Sequence, residues 1–180
     1  MPELTYQPAL ERPDLLAEPV LAALQAMDPA DAAQVQVAEI DAHLADTEKM
    51  SEAYGFSLDM SANCVIVSGK RSGEQRDAAV VVLGSDRADI NNVVRRHLDV
   101  RKISFAPMDF AVEQTGMAYG GICPVGLPDG WKLLVDEKVL SQDRVIIGSG
   151  IRGSKLFLPG ELVGRLPNAE ELALAFSSAG

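Results

Sequence analysis

Residues 63–83 read NCVIVSGKRSGEQRDAAVVVL. Two apolar runs rich in β-branched residues, Asn63-Cys64-Val65-Ile66-Val67 and Ala78-Ala79-Val80-Val81-Val82-Leu83, flank the polar segment Lys70-Arg71-Ser72-Gly73-Glu74. Branched side chains suit a pleated surface, and a short polar segment containing glycine lets the chain double back. The stretch therefore predicts an antiparallel hairpin. Neither run alternates with polar residues, so both faces of the hairpin are expected to be covered.

The covering elements can be sought on either side. Upstream, Val35-Gln36-Val37-Ala38-Glu39-Ile40 alternates apolar and polar residues, as a half-buried strand does. A short helix is expected over Glu48–Tyr54, capped by Asp46 or Thr47 and ended by Gly55. Leu16, Val20, Leu24 and Met27 fall at helical spacing, with a firm start at Pro19 and a stop at Asp28-Pro29. Residues 1–12 read as a loose arm. Downstream, a helix is expected from about Asp86 to Leu98, burying Ile90, Val93, Val94 and Leu98. His97 near its end is expected to be structural. A short strand over Lys102–Ala106 and a short helix over Met108–Gln114 follow. Lys132–Asp136, Arg144–Gly148 and Ser154–Leu158 complete about six strands, Pro159-Gly160 opens a last short helix, and Asn168–Ala179 reads as a helical or frayed tail. Helices and strands mix without strict βαβ alternation, which predicts an α+β fold with a mixed sheet.

The chain has 180 residues, 47% of them hydrophobic and 23% charged. That length and balance fit one soluble globular domain with a real core. No run approaches the roughly 18 apolar residues of a membrane span, and Met1-Pro2-Glu3-Leu4 does not begin a signal peptide. Two cysteines, Cys64 and Cys123, are too few for a disulfide framework and are expected to be buried, reduced thiols of a cytoplasmic protein. The net charge of −10 is concentrated in residues 1–60, which hold twelve acids against Arg12 and Lys49, while residues 61–180 hold fourteen of each sign. Lys70 to Lys102 contains eight bases and five acids, so a basic patch on the body of the protein is compatible with the acidic total.

The phosphate-binding Gly-x-x-x-x-Gly-Lys-Ser/Thr, the Gly-x-Ser-x-Gly elbow and His-Glu-x-x-His are absent from the sequence. His43 and His97 are the whole histidine complement and the cysteines lack paired spacing, so no metal and no cofactor is expected. What stands out is glycine. Residues 115–126 read TGMAYGGICPVG, and four glycines with a proline cannot propagate a helix or a central strand. Such a loop either turns the chain or presents backbone N–H groups to a carbonyl oxygen or a phosphate. Gly148-Ser149-Gly150 is a second glycine pair, directly after a strand. Asp136 ends another strand, where a carboxylate could hold a substrate amine or accept backbone N–H bonds. Arg152 and Lys155 could contact phosphate or lie in solvent.

The order Thr115-Gly116…Gly120-Gly121-Ile122-Cys123-Pro124-Val125-Gly126-Leu127-Pro128, then Leu134-Val135-Asp136, then Gly148-Ser149-Gly150-Ile151-Arg152-Gly153, resembles the YbaK/EbsC family. That family comprises aminoacyl-tRNA deacylases related to the editing insertion domain of prolyl-tRNA synthetase. The resemblance spans roughly residues 35–166. It leaves residues 1–34 as an acidic helical extension and 167–180 as a tail. It implies a mixed, partly barrel-like sheet with flanking helices, and hydrolysis of mischarged tRNA, such as cysteinyl- or alanyl-tRNA bearing the proline acceptor. The partners it implies are the aminoacylated 3′ end of tRNA and an aminoacyl-tRNA synthetase. By the same resemblance, Gly120, Gly121, Pro124 and Gly126 belong to the loop supporting the scissile carbonyl. Asn63 holds a ribose hydroxyl or a water, and Asp136, Gly148, Ser149, Gly150 and Arg152 line the substrate site.

One departure divides the readings. The family lysine, expected at the start of the strand after the first helix, falls at Ala62 here. Lys70 lies eight residues on, about 26 Å along a strand. Either an ammonium reaches the site from elsewhere, with Lys70 and Arg152 as candidates, or the chain binds aminoacyl-tRNA or a synthetase without hydrolysing it.

Overall fold

In the computed structural model, which describes residues 2–177, the strands are β1 (Gln7–Pro8), β2 (Gln36–Glu39), β3 (Ala62–Arg71), β4 (Glu74–Leu83), β5 (Asp86–Ala88) and β6 (Lys102–Phe105). They continue with β7 (Lys132–Asp136), β8 (Val145–Gly148), β9 (Ser154–Leu158), β10 (Ala169–Leu172) and β11 (Ala175–Ser177). The α-helices are α1 (Glu18–Ala26), α2 (Pro29–Ala32), α3 (Thr47–Tyr54), α4 (Arg95–His97), α5 (Met108–Thr115), α6 (Glu137–Leu140) and α7 (Gly160–Val163).

The hairpin of β3 and β4 forms the spine. Its register runs from Ala62 opposite Leu83 to Arg71 opposite Glu74. Ser72 and Gly73 close it with φ of 52° and 80°, the doubly positive turn that matches the twist of the flanking strands. The pleat sends Ala79, Val81 and Leu83 into one core cluster and Ala78, Val80 and Val82 into another, so the hairpin is covered on both faces. Around it stands a mixed sheet in the order β10-β7-β4-β3-β6, with β4 parallel to β7 and β7 parallel to β10. A second, antiparallel sheet has the order β1-β2-β9-β8, and β5 pairs with β11. The result is a mixed α+β fold of open sheets.

Local chemistry explains α3. Asp46 accepts from the Glu48 and Lys49 amides, satisfying two orphan donors of the first turn, and Gly55 ends the helix at φ 76°. The segment ahead of β2 joins the main core: Ala9, Leu15, Leu16, Ala17, Val20 and Leu24 pack in the cluster that holds Ile66, Val81 and Leu156.

Three expectations are corrected. Residues 1–12 are not a loose arm: β1 pairs with β2, Ala9 is fully buried and Tyr6 packs edge-on against Phe157. Residues 86–98 do not form one helix. β5 comes first, then a wide turn over Ile90–Val94 capped by Asp89, then the single turn α4, although Ile90, Val94 and Leu98 are buried as the spacing required. Residues 169–177 are strands, β10 parallel to β7 and β11 antiparallel to β5. Ala, Glu and Leu favour helix locally, but unpaired edges of β7 and β5 offer hydrogen bonds that outweigh propensity. Residues 178–180 of the expected tail lie outside the described residues.

Candidate active site

The two larger sheets meet where Ser61 bridges Ile146 in parallel. Beyond that bridge β3 and β8 share no ladder, and a cleft of about 400 Å³ opens between them. Its floor is the start of β3, with Ala62, Asn63 and Cys64; the N-terminal turn of α3 brings Asp46, Thr47 and Glu48 to one side. Tyr119, Gly120 and Ile122 of the glycine loop, with Gly148, form the opposite wall, and Met108 at the start of α5 stands at its edge.

The cleft contains an ammonium. Lys155 lies on β9, an inner strand paired with both β2 and β8, and is only 8% exposed. Its Nζ donates to the Ala45 carbonyl at 2.9 Å and makes no other hydrogen bond among the described residues, so donor capacity remains toward the cleft it lines. Burial lowers its pKa from the ordinary 10.5, opposed by the nearby Cys123 and Asp46. This corrects the expectation for residues that might replace the family lysine. Lys70 is exposed at the far end of β3. Arg152 donates to the Tyr119 carbonyl at 3.1 Å and lies over the Tyr119 ring; it is not among the residues lining the cleft, although its charge helps to lower the Lys155 pKa. Ala62 leaves room at the floor, and the charge enters from β9.

The glycines are explained chiefly by each other. Gly121 donates to Ala118 O, and its own carbonyl accepts from the Gly150 amide at 2.8 Å; Gly150 O accepts from Ala118. A Cβ on Gly148 would stand 2.5 Å from the Gly121 oxygen, and one on Gly121 would stand 2.7 Å from Ile151 O. Two stretches of backbone thus pack directly together, which only glycine permits. Gly120 and Ile122 line the cleft, and among the described residues neither amide has a protein acceptor.

Asn63 also lines the cleft. Its Oδ1 accepts from the Thr47 hydroxyl at 2.6 Å, which orients the amide and leaves its NH₂ unpartnered among the described residues. Cys64 lines the cleft too, but burial raises its thiol pKa far above neutrality, and Cys123 is pushed up to about 12. Neither is a thiolate at neutral pH, so neither is an activated nucleophile.

The remaining sequence candidates lie elsewhere. Pro124 and Gly126 line a different hollow on the far side of the loop, facing Trp131 and Arg165. Asp136 is outside the cleft and committed: it caps α6 through the Lys138 amide and accepts from the Leu174 and Ala175 amides at 3.2 and 3.3 Å. Ser149 is fully buried and bonds Ser154 Oγ at 2.7 Å, while Gly150 holds a left-handed turn at φ 88° against α1's lead-in. The cleft therefore gathers Gly120, Gly148, Asn63 and Ala62 from the expected set. It adds Thr47, read from the sequence only as a helix cap, and Lys155, read from the sequence as a phosphate contact or a solvated side chain.

Comparison with known proteins fixes the family. The model of the aminoacyl-tRNA editing domain matches residues 41–165, spanning α3, the hairpin, the glycine loop and Lys155. The chain belongs to the aminoacyl-tRNA editing domain family. It is 28% identical over 127 residues to the uncharacterized protein YwhH of Bacillus subtilis (strain 168), covering 70% of this chain and 78% of that one. A crystal structure named as a candidate trans-editing enzyme for prolyl tRNA synthetase superposes with a TM-score of 0.74 at 21% identity, over 89% of this chain and 97% of its own. The hypothetical protein APE2540 does so with 0.73 at 22% identity, over 86% and 99%. Both establish the shared fold. The editing-domain match begins after α1 and α2, which in this chain complete the core behind the glycine wall: the Ala17 amide donates to Ser149 O, and the Ser154 hydroxyl donates to Leu15 O.

Proposed function

We propose that this editing domain hydrolyses the ester of mischarged aminoacyl-tRNA in the cleft between the two sheets. The observation that carries the reading is the Lys155 ammonium, buried opposite the free amides of Gly120 and Ile122. Attack on an ester places negative charge on the carbonyl oxygen, and pre-positioned donors in a partly dry site stabilise that charge. In this assignment the amides receive the carbonyl oxygen, Lys155 supplies positive charge beside it, and the Asn63 NH₂ positions a ribose hydroxyl or the attacking water.

Among the described residues both thiols are neutral, the Thr47 hydroxyl is occupied in donating to Asn63, and the Asp46 carboxylate caps α3, so the Glu48 carboxylate is the lining side chain left to act as a general base. We assign the activation of water to the vicinal hydroxyl of the terminal ribose, with Glu48 as the competing base. A space of about 400 Å³ holds an aminoacyl group and its ribose, while the rest of the tRNA stays outside. Transfer RNA for proline is the first substrate to test, because the fold is shared with a candidate trans-editing enzyme for prolyl tRNA synthetase.

The test is deacylation of a panel of mischarged tRNAs, alanyl- and cysteinyl-tRNA with the proline acceptor included. Release of amino acid well above the buffer rate is expected for at least one. No release from any, at enzyme in excess of substrate, would sink the proposal. The other reading, favoured by Ala62, is a domain that binds charged tRNA without turnover. It requires saturable binding together with that null result.

A further inference from the structure

Outside the cleft, the strongest unassigned feature is the far end of the hairpin. Lys70 of β3 stands directly opposite Lys102 of the edge strand β6. Like charges facing each other across a ladder destabilise it, so this pairing has a cost that folding alone does not explain. Neighbouring carboxylates do not neutralise it. Asp99 is taken by Arg71 at 2.6 Å and by Arg76, and Asp77 is held by Ser68 at 2.6 Å and Gln75 at 3.0 Å. Lys70, Lys102 and Arg101 are exposed and make no ion pair among the described residues.

The two lysines open onto a groove that Ser68, Ser104, Pro107 and Phe110 also line. The groove runs to the start of α5, where Met108, next to Pro107, is part of the cleft edge. Phe105, 62% exposed, is on the same edge strand but, next to Ser104, points to the opposite face. Unpaired cations and hydroxyls, with the Phe110 ring, on a path leading into an ester-binding cleft match the chemistry of an RNA strand. Eight strand residues separate Ala62 from Lys70, about 26 Å, so the lysines lie beyond the reach of the terminal nucleotide.

We propose that the β6 edge, with Lys70 and Lys102 as its charged contacts, binds the phosphates of the tRNA acceptor end that leads into the cleft. The inference rests on the editing assignment for the direction of the path, but its test does not need catalysis. Binding of uncharged tRNA is measured across a salt series for the wild type, for Lys70→Gln with Lys102→Gln, and for a control, Arg12→Gln with Arg165→Gln, that removes two charges elsewhere. Each phosphate contact contributes about 0.7 to 0.9 to the slope of log affinity against log salt. The lysine double variant is therefore expected to lose about 1.4 to 1.8 of that slope, and the control to retain it.

Lys102→Glu, which replaces repulsion with an attractive cross-strand pair, should fold at least as stably as the wild type and bind tRNA more weakly. An unchanged slope in the lysine variant, an equal loss in the control, or no salt-sensitive binding by the wild type overturns the proposal. The first of these would leave a protein partner as the occupant of the groove. Hydrolysis of a minimal aminoacyl ester of adenosine reports separately on the cleft and is expected to be equal in the wild type and the lysine variant. If that activity is absent from both while the slope changes as stated, the editing assignment fails and the RNA surface stands.

Discussion

The two ends of strand β3 meet positive charge in opposite settings. At Ala62 a single ammonium arrives from another strand, buried and held by one carbonyl. At Lys70 the charges are exposed, face one another, and pair with no carboxylate among the described residues. Desolvation makes the buried charge costly and its field strong, whereas water and salt weaken the exposed pair and leave it suited to a mobile polyanion. In the proposed reading, one end acts on a reacting atom and the other holds a chain of phosphates. The same formal charge thus serves two purposes, and each can be removed without the other.

The largest effect is expected from Lys155→Met, which keeps length and apolar bulk and deletes the charge. Deacylation should fall about 10²–10³-fold, the magnitude of removing one pre-positioned donor, while the salt slope for tRNA stays nearly unchanged. The variant also changes the pH dependence of stability, with a sign fixed by the lowered pKa of Lys155. In the unfolded chain the lysine holds its proton up to about 10.5, and in the fold it releases it earlier. The penalty for burying the ammonium is therefore fully present below the folded pKa and disappears as pH rises toward 10.5. Chemical denaturation across this range should show the wild type gaining stability relative to Lys155→Met. A flat difference would mean that the ammonium is better solvated than its surroundings indicate.

Next comes Gly148→Ala. The added Cβ would press on the Gly121 oxygen at 2.5 Å, and neither backbone can yield without breaking the Gly150–Gly121 hydrogen bond. A loss of about 1–3 kcal/mol in denaturation and a matching collapse of deacylation are expected, since the glycine wall carries the Gly120 and Ile122 amides. Full activity in a stable Gly148→Ala variant would show that the wall's geometry does not matter to the chemistry.

That wall also shows what a sequence can and cannot reveal. Asp46 as cap, Gly55 as stop and the hairpin at 63–83 were legible because each is written in neighbouring residues. The importance of residues 115–126 and 148–150 was legible too, since glycines at that density cannot serve a regular element. That the two stretches need glycine for one another was not, because their contact joins residues about thirty positions apart. The burial of Lys155 was obscure for the same reason. Nothing near Ser154-Lys155-Leu156-Phe157 says that β9 is flanked by β2 and β8, which is what buries it. Asp136 was legible in part: a carboxylate at a strand end fits substrate binding or loop support, and the partners that make it a loop support, the Leu174 and Ala175 amides, come from nearly forty residues away. The strands β10 and β11 remained hidden because pairing with β7 and β5 overrides the helical bias of their residues.

A smaller effect is expected from Asn63→Ala. The Asn63 NH₂ is offered to substrate, and its Oδ1 fixes Thr47. One hydrogen bond strengthened in the transition state is worth about 1.4 kcal/mol, so deacylation should fall roughly tenfold. Thr47→Val, which removes the partner that orients the amide, should reproduce part of that loss with substrate affinity largely kept. If Thr47→Val were as damaging as Lys155→Met, the hydroxyl itself would have to touch the reacting atoms.

The smallest effect sharpens the contrast by exclusion. Cys64 lies on the cleft floor next to Asn63, where a nucleophile would be well placed, and a thiolate there would make the ammonium of Lys155 its counter-ion and not a substrate contact. Burial, however, pushes the Cys64 thiol far above its ordinary range, and Cys123 reinforces the shift. Thiolate, not thiol, attacks carbonyls and alkylating reagents. Cys64→Ala should therefore deacylate tRNA within about twofold of the wild type, and iodoacetamide at pH 8 should leave activity intact over an hour. Rapid inactivation that the alanine variant escapes would place a reactive sulfur beside Lys155. The buried charge would then belong to covalent catalysis, not to the support of a carbonyl oxygen.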